Sequence, residues 1–196
     1  MTRMKVPHLI LASASPRRAE LLRSAGIPFS VDVANIAEEV MPGESPVYHA
    51  ERLAREKAEV VAKRNPGRIV LGADTIVVVD DHLLGKPSDA QDAARMLRLL
   101  SGRAHEVITG VCLAITVPET RNPKLETFSE RTSVLFSSLS SREIEDYIAT
   151  QEPMDKAGAY AIQGIASRWI SRIEGDYANV VGLPVALVWR MLQKFL

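Results

Sequence analysis

The chain has 196 residues, 46% of them hydrophobic, and its 24 basic and 24 acidic residues give a formal net charge of zero. That length and apolar content suit a full globular core, and the expectation is a single domain over residues 1–196. Zero net charge excludes a global field that would favour nucleic acid or an anionic membrane, so any anion site has to be local.

In chain order, "HLILAS" reads as a buried strand and "PRRAELLRSAG" as a helix with Pro16 in its first turn and Gly26 just past its end. "FSVDVAN" alternates like a second strand, and the acidic loop "IAEEVMPGES" leads into a helix that starts near Ser45 and Pro46 and stops at "NPG". "RIVLGADTIVVVDD" is the strongest strand signal, a nearly continuous apolar run of the kind covered on both faces. "SDAQDAARMLRLLSG" predicts a helix with a capping box from Ser88 to Gln91 and a stop at Gly102. "HEVITGVCLAITV" and "TFSERTSVLFSSL" predict two more strands, with the polar "PETRNPKLE" as an exposed hairpin connection between them.

A second capping box, Ser140 to Glu143, opens the helix "SREIEDYIATQ". The Gly-containing segment "EPMDKAGAYAIQG" follows, then a strand around "SRWISRIEG", the loop "DYANVVGLP", and a last helix from Pro184 to the end. Irregular alternation of strands and helices points to an α/β domain with a mixed sheet. Cys112, the single cysteine, lies in an apolar run and reads as a small core residue, a usage that fits a reducing cytosol. No apolar stretch has the length of a signal sequence or a membrane span, so the expectation is a soluble cytoplasmic protein.

The turn "LASASPRRAELL" offers hydroxyls from Ser13 and Ser15, a helix N-terminus, and the charges of Arg17 and Arg18. That set can cradle phosphate, or it can be a capped helix with two solvated arginines. GxxxxGK and GxGxxG are both absent. Asp74 lies inside a covered strand, where a carboxylate needs a cation or hydrogen-bond donors; it suits a metal ligand, a group that orients water, or one half of a structural ion pair. Lys57 shares a helix face with Leu53, Val60 and Val61, and it either points inward to an anion or snorkels to water. Lys86 sits in a restricted turn between Gly85 and Pro87. Glu38 and Glu39 could add a carboxylate to Asp74, and hard oxygen ligands select Mg²⁺ or Mn²⁺ over zinc. The four histidines lack metal-ligand spacing, no Ser/His/Asp set is legible, and no basic stripe with interleaved aromatics marks a nucleic-acid surface. Gln163 pairs a donor with an acceptor, which suits the imide edge of uracil or thymine as well as it suits bracing a loop.

Taken in order, "LASASPRR", "GADTIVV", "GKP", "EPMDKAGAYAIQG" and "GDYANVVGLP" resemble the Maf family of nucleoside triphosphate pyrophosphatases over almost the whole chain. The resemblance implies an α/β fold with a mixed, curved central sheet flanked by helices and a substrate cleft, as in inosine triphosphatases. It also implies hydrolysis of a nucleoside triphosphate to the monophosphate and pyrophosphate, a divalent cation, and a homodimer. Within the family, the dTTP/UTP subgroup has the residues that stand here at Arg17, Thr75 and Gln163. A related subgroup preferring methylated GTP has a bulky aromatic, a glutamine and a glutamate at those places. The implied roles are Asp74 for water or metal, Glu38 for metal, and Ser13, Arg18, Lys57 and Lys86 for phosphates, in an enzyme that cleanses nucleotide pools. Two departures stand out: Ala161 where the subgroup often has glycine, and Ala37, which leaves Glu38 without an acidic neighbour before it. Rival readings are a nucleotide-binding regulator of cell division and septum formation that does not turn over, and a phosphatase that releases single phosphates.

Overall fold

A computed structural model describes residues 6–116 and 122–195. Seven strands are hydrogen-bonded in the order β2-β1-β3-β5-β6-β7, with β4 paired to β3. They are β1 (Leu9–Leu11), β2 (Phe29–Val31), β3 (Ile69–Val79), β4 (His82–Leu84), β5 (Ala104–Thr116), β6 (Pro123–Phe136) and β7 (Ile170–Glu174). β1 runs parallel to both β2 and β3, whereas β4 and β7 are antiparallel to their partners, so the sheet is mixed as expected. The helices are α1 (Pro16–Ser24), α2 (Pro46–Arg64), α3 (Ala90–Leu100), α4 (Ser141–Ala149), α5 (Tyr177–Val181) and α6 (Val185–Leu192).

The chain divides into two compact units. The first comprises Met1–Asp74, Thr109–Glu130 and Gly182–Leu196; the second comprises Thr75–Ile108 and Arg131–Val181. In the first unit, strand alternation sends Leu9, Leu11, Leu71 and Ala73 to one face, where they pack with Leu22 of α1 and Leu187, Val188 and Met191 of α6. Ile10, Val70 and Cys112 belong to the other face and pack on Ala54, Ala58, Val61 and Ala62 of α2. The Cys112 thiol is accordingly buried, and burial raises its pKa. In the second unit a single cluster joins Val77, Leu84, Val107 and Phe136 to Met96 and Leu97 of α3 and Ile144 and Tyr147 of α4.

Helix starts follow the caps. Ser15, Ser45 and Ser140 each accept a backbone N–H of the first turn, and the Ser140–Glu143 capping box is complete. The expected box from Ser88 is corrected. Asp89 caps α3 by accepting from Asp92 N–H at 2.8 Å, and the Asp92 carboxylate reaches back to Ser88 N–H at 3.1 Å. An aspartate one residue further on thus sets the start, and no glutamine is required.

Other expectations also shift. "DD" is a two-residue turn with positive φ at both Asp80 and Asp81, which folds β4 back onto β3. β6 begins at Pro123, inside the segment expected to be a hairpin connection (residues 118–126); residues 118–121 of that connection, and Val117 of the strand expected before it, lie outside the described residues. The loop "DYANVVGLP" contains α5, for which the Asp176 side chain accepts Ala178 N–H at 2.7 Å. The strand around "SRWISRIEG" is only Ile170–Glu174, because Ile165–Trp169 forms a 3₁₀ helix. No helix among the described residues is long and apolar enough to cross a membrane.

Candidate functional site

The first unit assembles a charged cluster from three segments that are distant in sequence. Ile69, Leu71 and Ala73 of β3 face α1 and α6, so Val70, Gly72 and Asp74 face α2. Gly72 is the point of closest approach: a Cβ there would lie 2.1 Å from Ala54 O and 2.7 Å from Ala58 N. Gly110 of β5 gives a second such seat, where an added Cβ would lie 2.3 Å from Ala50 O. Helix α2 therefore lies with its backbone against the sheet, and Lys57 on it is buried. Its ammonium donates to Asp74 Oδ1 at 2.7 Å, and both residues are 6% exposed. Of the two orientations open to Lys57 in the sequence, the structure has the inward one.

Glu38 joins the same ammonium at 2.5 Å, with 47% of its side chain exposed. It stands in an irregular loop, and what holds the loop is a buried network that sequence reasoning missed. Arg52 of α2 grips the Glu44 carboxylate at both oxygens (2.6 and 3.0 Å), contacts Glu56 at 3.2 Å, and donates to the backbone carbonyl of Glu39 at 2.8 Å. His49 Nδ1 lies 2.9 Å from Glu44 Oε2, and Met41 N–H donates to that oxygen at 3.0 Å. The Arg52 guanidinium holds the Glu44 carboxyl down at about 2, against the opposing effect of its own burial, with Met41 N–H and His49 adding to the pull. The available signal was the spacing of His49, Arg52 and Glu56, which puts three charged or polar groups on one helical stripe after a lone glutamate.

The opening turn belongs to the same unit. Arg18 is buried; its Nε donates to Gly182 O at 2.8 Å and its Nη1 to Ala73 O at 2.9 Å and Ser13 Oγ at 3.0 Å. Burial lowers the Arg18 pKa, and the charges of Asp74 and Glu38 oppose that shift. Arg18 thus ties the turn to the residue before Asp74, a structural task that "SPRR" alone did not reveal. Ser13 Oγ also accepts Ser15 N–H at 3.3 Å, so its own hydroxyl proton is what it can offer outward. Arg17 is half-buried.

The remaining candidates are in the second unit. Thr75 is half-buried on the face of β3 opposite Asp74. Lys86 is exposed, in a turn pinned where Gly85 O accepts Gly158 N–H at 3.0 Å. Gln163 is exposed at the centre of a tight turn.

The Glu38 and Asp74 carboxylates thus both meet the Lys57 ammonium. Among the described residues no group of three or more His, Cys, Asp and Glu side chains could hold a metal. Glu38 and Asp74 are hard oxygen donors of the kind that could serve a Mg²⁺-type ion whose shell is completed by phosphates and water.

A family model described as "Maf-like protein" matches residues 8–195. The chain is 56% identical to a dTTP/UTP pyrophosphatase of Koribacter versatilis, over 95% of this chain and 93% of that protein. It is 55% identical to one of Geobacter sp. (strain M21), covering 94% of each, and 47% identical to one of Bacillus pumilus, over 95% and 96%. Among solved structures, the Ham1 protein of Staphylococcus aureus is similar at 13% identity and a TM-score of 0.45, covering 66% of this chain and 71% of that one.

Proposed function

The chain belongs to the Maf family, and on that premise we propose that it hydrolyses dTTP and UTP to the monophosphate and pyrophosphate. The observation that carries the reading is the buried Lys57–Asp74 pair with Glu38 on the same ammonium, set beside near full-length identity of about half to proteins named for that activity. In the reaction a water oxygen bonds to the α-phosphorus, the bond from that phosphorus to the α–β bridging oxygen breaks, and the electron pair leaves with pyrophosphate. Little covalent chemistry falls to the protein, so positioning and charge supply most of the rate.

Asp74 is suited to orient the water and take its proton, since it is buried, fixed on a strand and held by Lys57. Lys57, Lys86, Arg17 and Arg18 supply positive charge for the triphosphate, and Ser13 supplies a hydroxyl donor. Glu38 and Asp74 would hold Mg²⁺ or Mn²⁺, which when bound neutralises phosphate charge and polarises the phosphorus. Gln163 is assigned to the imide edge of the pyrimidine, with Arg17 and Thr75 as the other residues that select the substrate. The same reading gives a cytoplasmic homodimer that removes unwanted pyrimidine triphosphates, including modified ones; sedimentation of the purified chain tests the dimer.

The test is product analysis with a panel of triphosphates at fixed metal. Pyrophosphate and monophosphate from dTTP and UTP support the reading. Orthophosphate, or binding without release, replaces it with a phosphatase or a nucleotide-responsive regulator.

A further inference from the structure

The turn that carries Gln163 is fastened at both ends by two side chains that the proposed chemistry does not use. Ala161 O accepts Gly164 N–H at 3.1 Å, which closes a four-residue turn with Ile162 and Gln163 at its centre. Ile162 is buried and Gln163 is exposed. At the start of the turn, Ala161 N–H donates to the Tyr147 hydroxyl oxygen at 3.3 Å. Just past its end, Ile165 N–H donates to the Glu152 carboxylate at 3.0 and 3.3 Å. The Tyr147 hydroxyl in turn donates to Glu152 at 2.9 Å, so the two fastenings are one hydrogen-bonded device.

Its parts cannot drift. Tyr147 is 1% exposed, and its ring meets Trp169 edge-on at 5.2 Å between centroids. The Trp169 indole N–H donates at 3.1 Å to Glu143, the capping-box residue of α4. At Gly164 a Cβ would lie 2.0 Å from Glu152 Oε1, so glycine lets the carboxylate lie flat against the backbone directly after Gln163. A rigid helix terminus is thereby coupled to the residue that presents the amide.

We propose that Tyr147 and Glu152 are positioning residues for base selection, which fix the Ala161–Gly164 turn so that the Gln163 amide meets the imide edge of uracil or thymine. The proposal rests on the assignment of Gln163 as the base reader. A glutamine side chain has several soft torsions, and its donor–acceptor pair discriminates between bases only if the backbone beneath it is fixed. A fastening at each end of a four-residue turn, for a side chain that is itself exposed, is more than packing of Ile162 requires.

Measuring kcat/KM for UTP and CTP by pyrophosphate release tests this in the wild type, Tyr147→Phe, Glu152→Gln, Gln163→Ala, and the Tyr147→Phe/Gln163→Ala double variant. Cytosine reverses the donor and acceptor at the edge in question, so the UTP/CTP ratio reports recognition by the amide. Gln163→Ala should lower that ratio. Tyr147→Phe and Glu152→Gln should each lower it by roughly 3- to 10-fold, the effect of one lost hydrogen bond, mainly through the KM for UTP. In the Gln163→Ala background Tyr147→Phe should change it no further. Equal losses on UTP and CTP, or an undiminished effect in the Gln163→Ala background, would overturn the positioning role. If Gln163→Ala lowers the ratio while the Tyr147 and Glu152 variants keep the wild-type value, only the positioning role fails. If Gln163→Ala leaves the ratio unchanged, the assignment of Gln163 fails and this role with it. Circular dichroism establishes that each variant is folded, and Glu152→Gln carries the test if Tyr147→Phe is not.

Discussion

Adding one methyl group at Gly72 should disable this protein in two measurable ways. The new Cβ would fall 2.1 Å from Ala54 O, 2.7 Å from Ala58 N and 2.9 Å from Ala58 Cβ. The nearest two are backbone atoms, so no rotamer change relieves the contact, and α2 has to lift from β3 by roughly 1 Å to restore van der Waals separation. Overpacking of a core costs about 1–3 kcal/mol, and a backbone obstacle places this case near the top of that range. For a protein of this size, about 3 kcal/mol corresponds to a fall in melting midpoint of roughly 6–12 °C. The lifted helix carries Lys57, whose ammonium is 2.7 Å from Asp74; misplacement of a reacting constellation by about 1 Å can cost on the order of 10²-fold in rate. Thermal melts by circular dichroism and pyrophosphate release well below the midpoint measure the two effects. Gly85→Ala, whose Cβ meets nothing within 4 Å, serves as the stability control. A Gly72→Ala variant that melts within about 2 °C of wild type and turns over normally would refute the claim that this contact seats Lys57.

Two further outcomes are expected. His105 is buried against Phe136 and Tyr160, and burial lowers its pKa from 6.5 to about 4. The unfolded chain takes up that proton below about pH 6.5 while the folded protein resists until about pH 4, so stability is complete above pH 6.5 and is lost as pH falls through this window, by on the order of 3 kcal/mol. Denaturant midpoints measured from pH 7 to 4 should show the loss, and His105→Phe should flatten it; an unchanged slope would contradict the assignment. Arg17→Trp should alter the ranking of nucleotides more than Arg18→Lys does, whereas Arg18→Lys, which breaks bonds to Gly182 and Ala73, should lower the melting temperature. The reverse pattern in melts and kcat/KM ratios would exchange the roles given to the two arginines.

What was legible in the sequence was local or periodic. Caps at Ser15, Ser45 and Ser140 depend on residues within one turn, and the long apolar run of β3 announces its own burial. β4 was hidden because its turn is made by Asp80 and Asp81 with positive φ, without the glycine or asparagine that usually signals such a hairpin. α5 was hidden because five residues are too few to show a period. The direction of Lys57 was open because helical spacing places it on a face without saying what lies opposite; Gly72 and Asp74 decide that from another segment. Glu38 was legible only as a carboxylate that could join Asp74, and what holds its loop was not, since the ties of that loop to Arg52 connect groups that only the fold brings together. For Arg18 the residue type suggested an anion ligand, and its bonds to two backbone carbonyls could not be read from any spacing. Motif identity located the candidate residues, and tertiary contacts assigned the supporting ones.

The most direct measurement is pyrophosphate release from dTTP and UTP by the wild-type chain and by Asp74→Asn, at the same metal concentration and with folding verified by circular dichroism. The substitution keeps the shape of the side chain and the neighbouring Lys57 while removing the charge and the proton-accepting oxygen. The expected result is robust release by the wild type and a loss of about 10²- to 10⁴-fold in the variant, the range associated with a general base. A folded Asp74→Asn protein that releases pyrophosphate at close to the wild-type rate would contradict it.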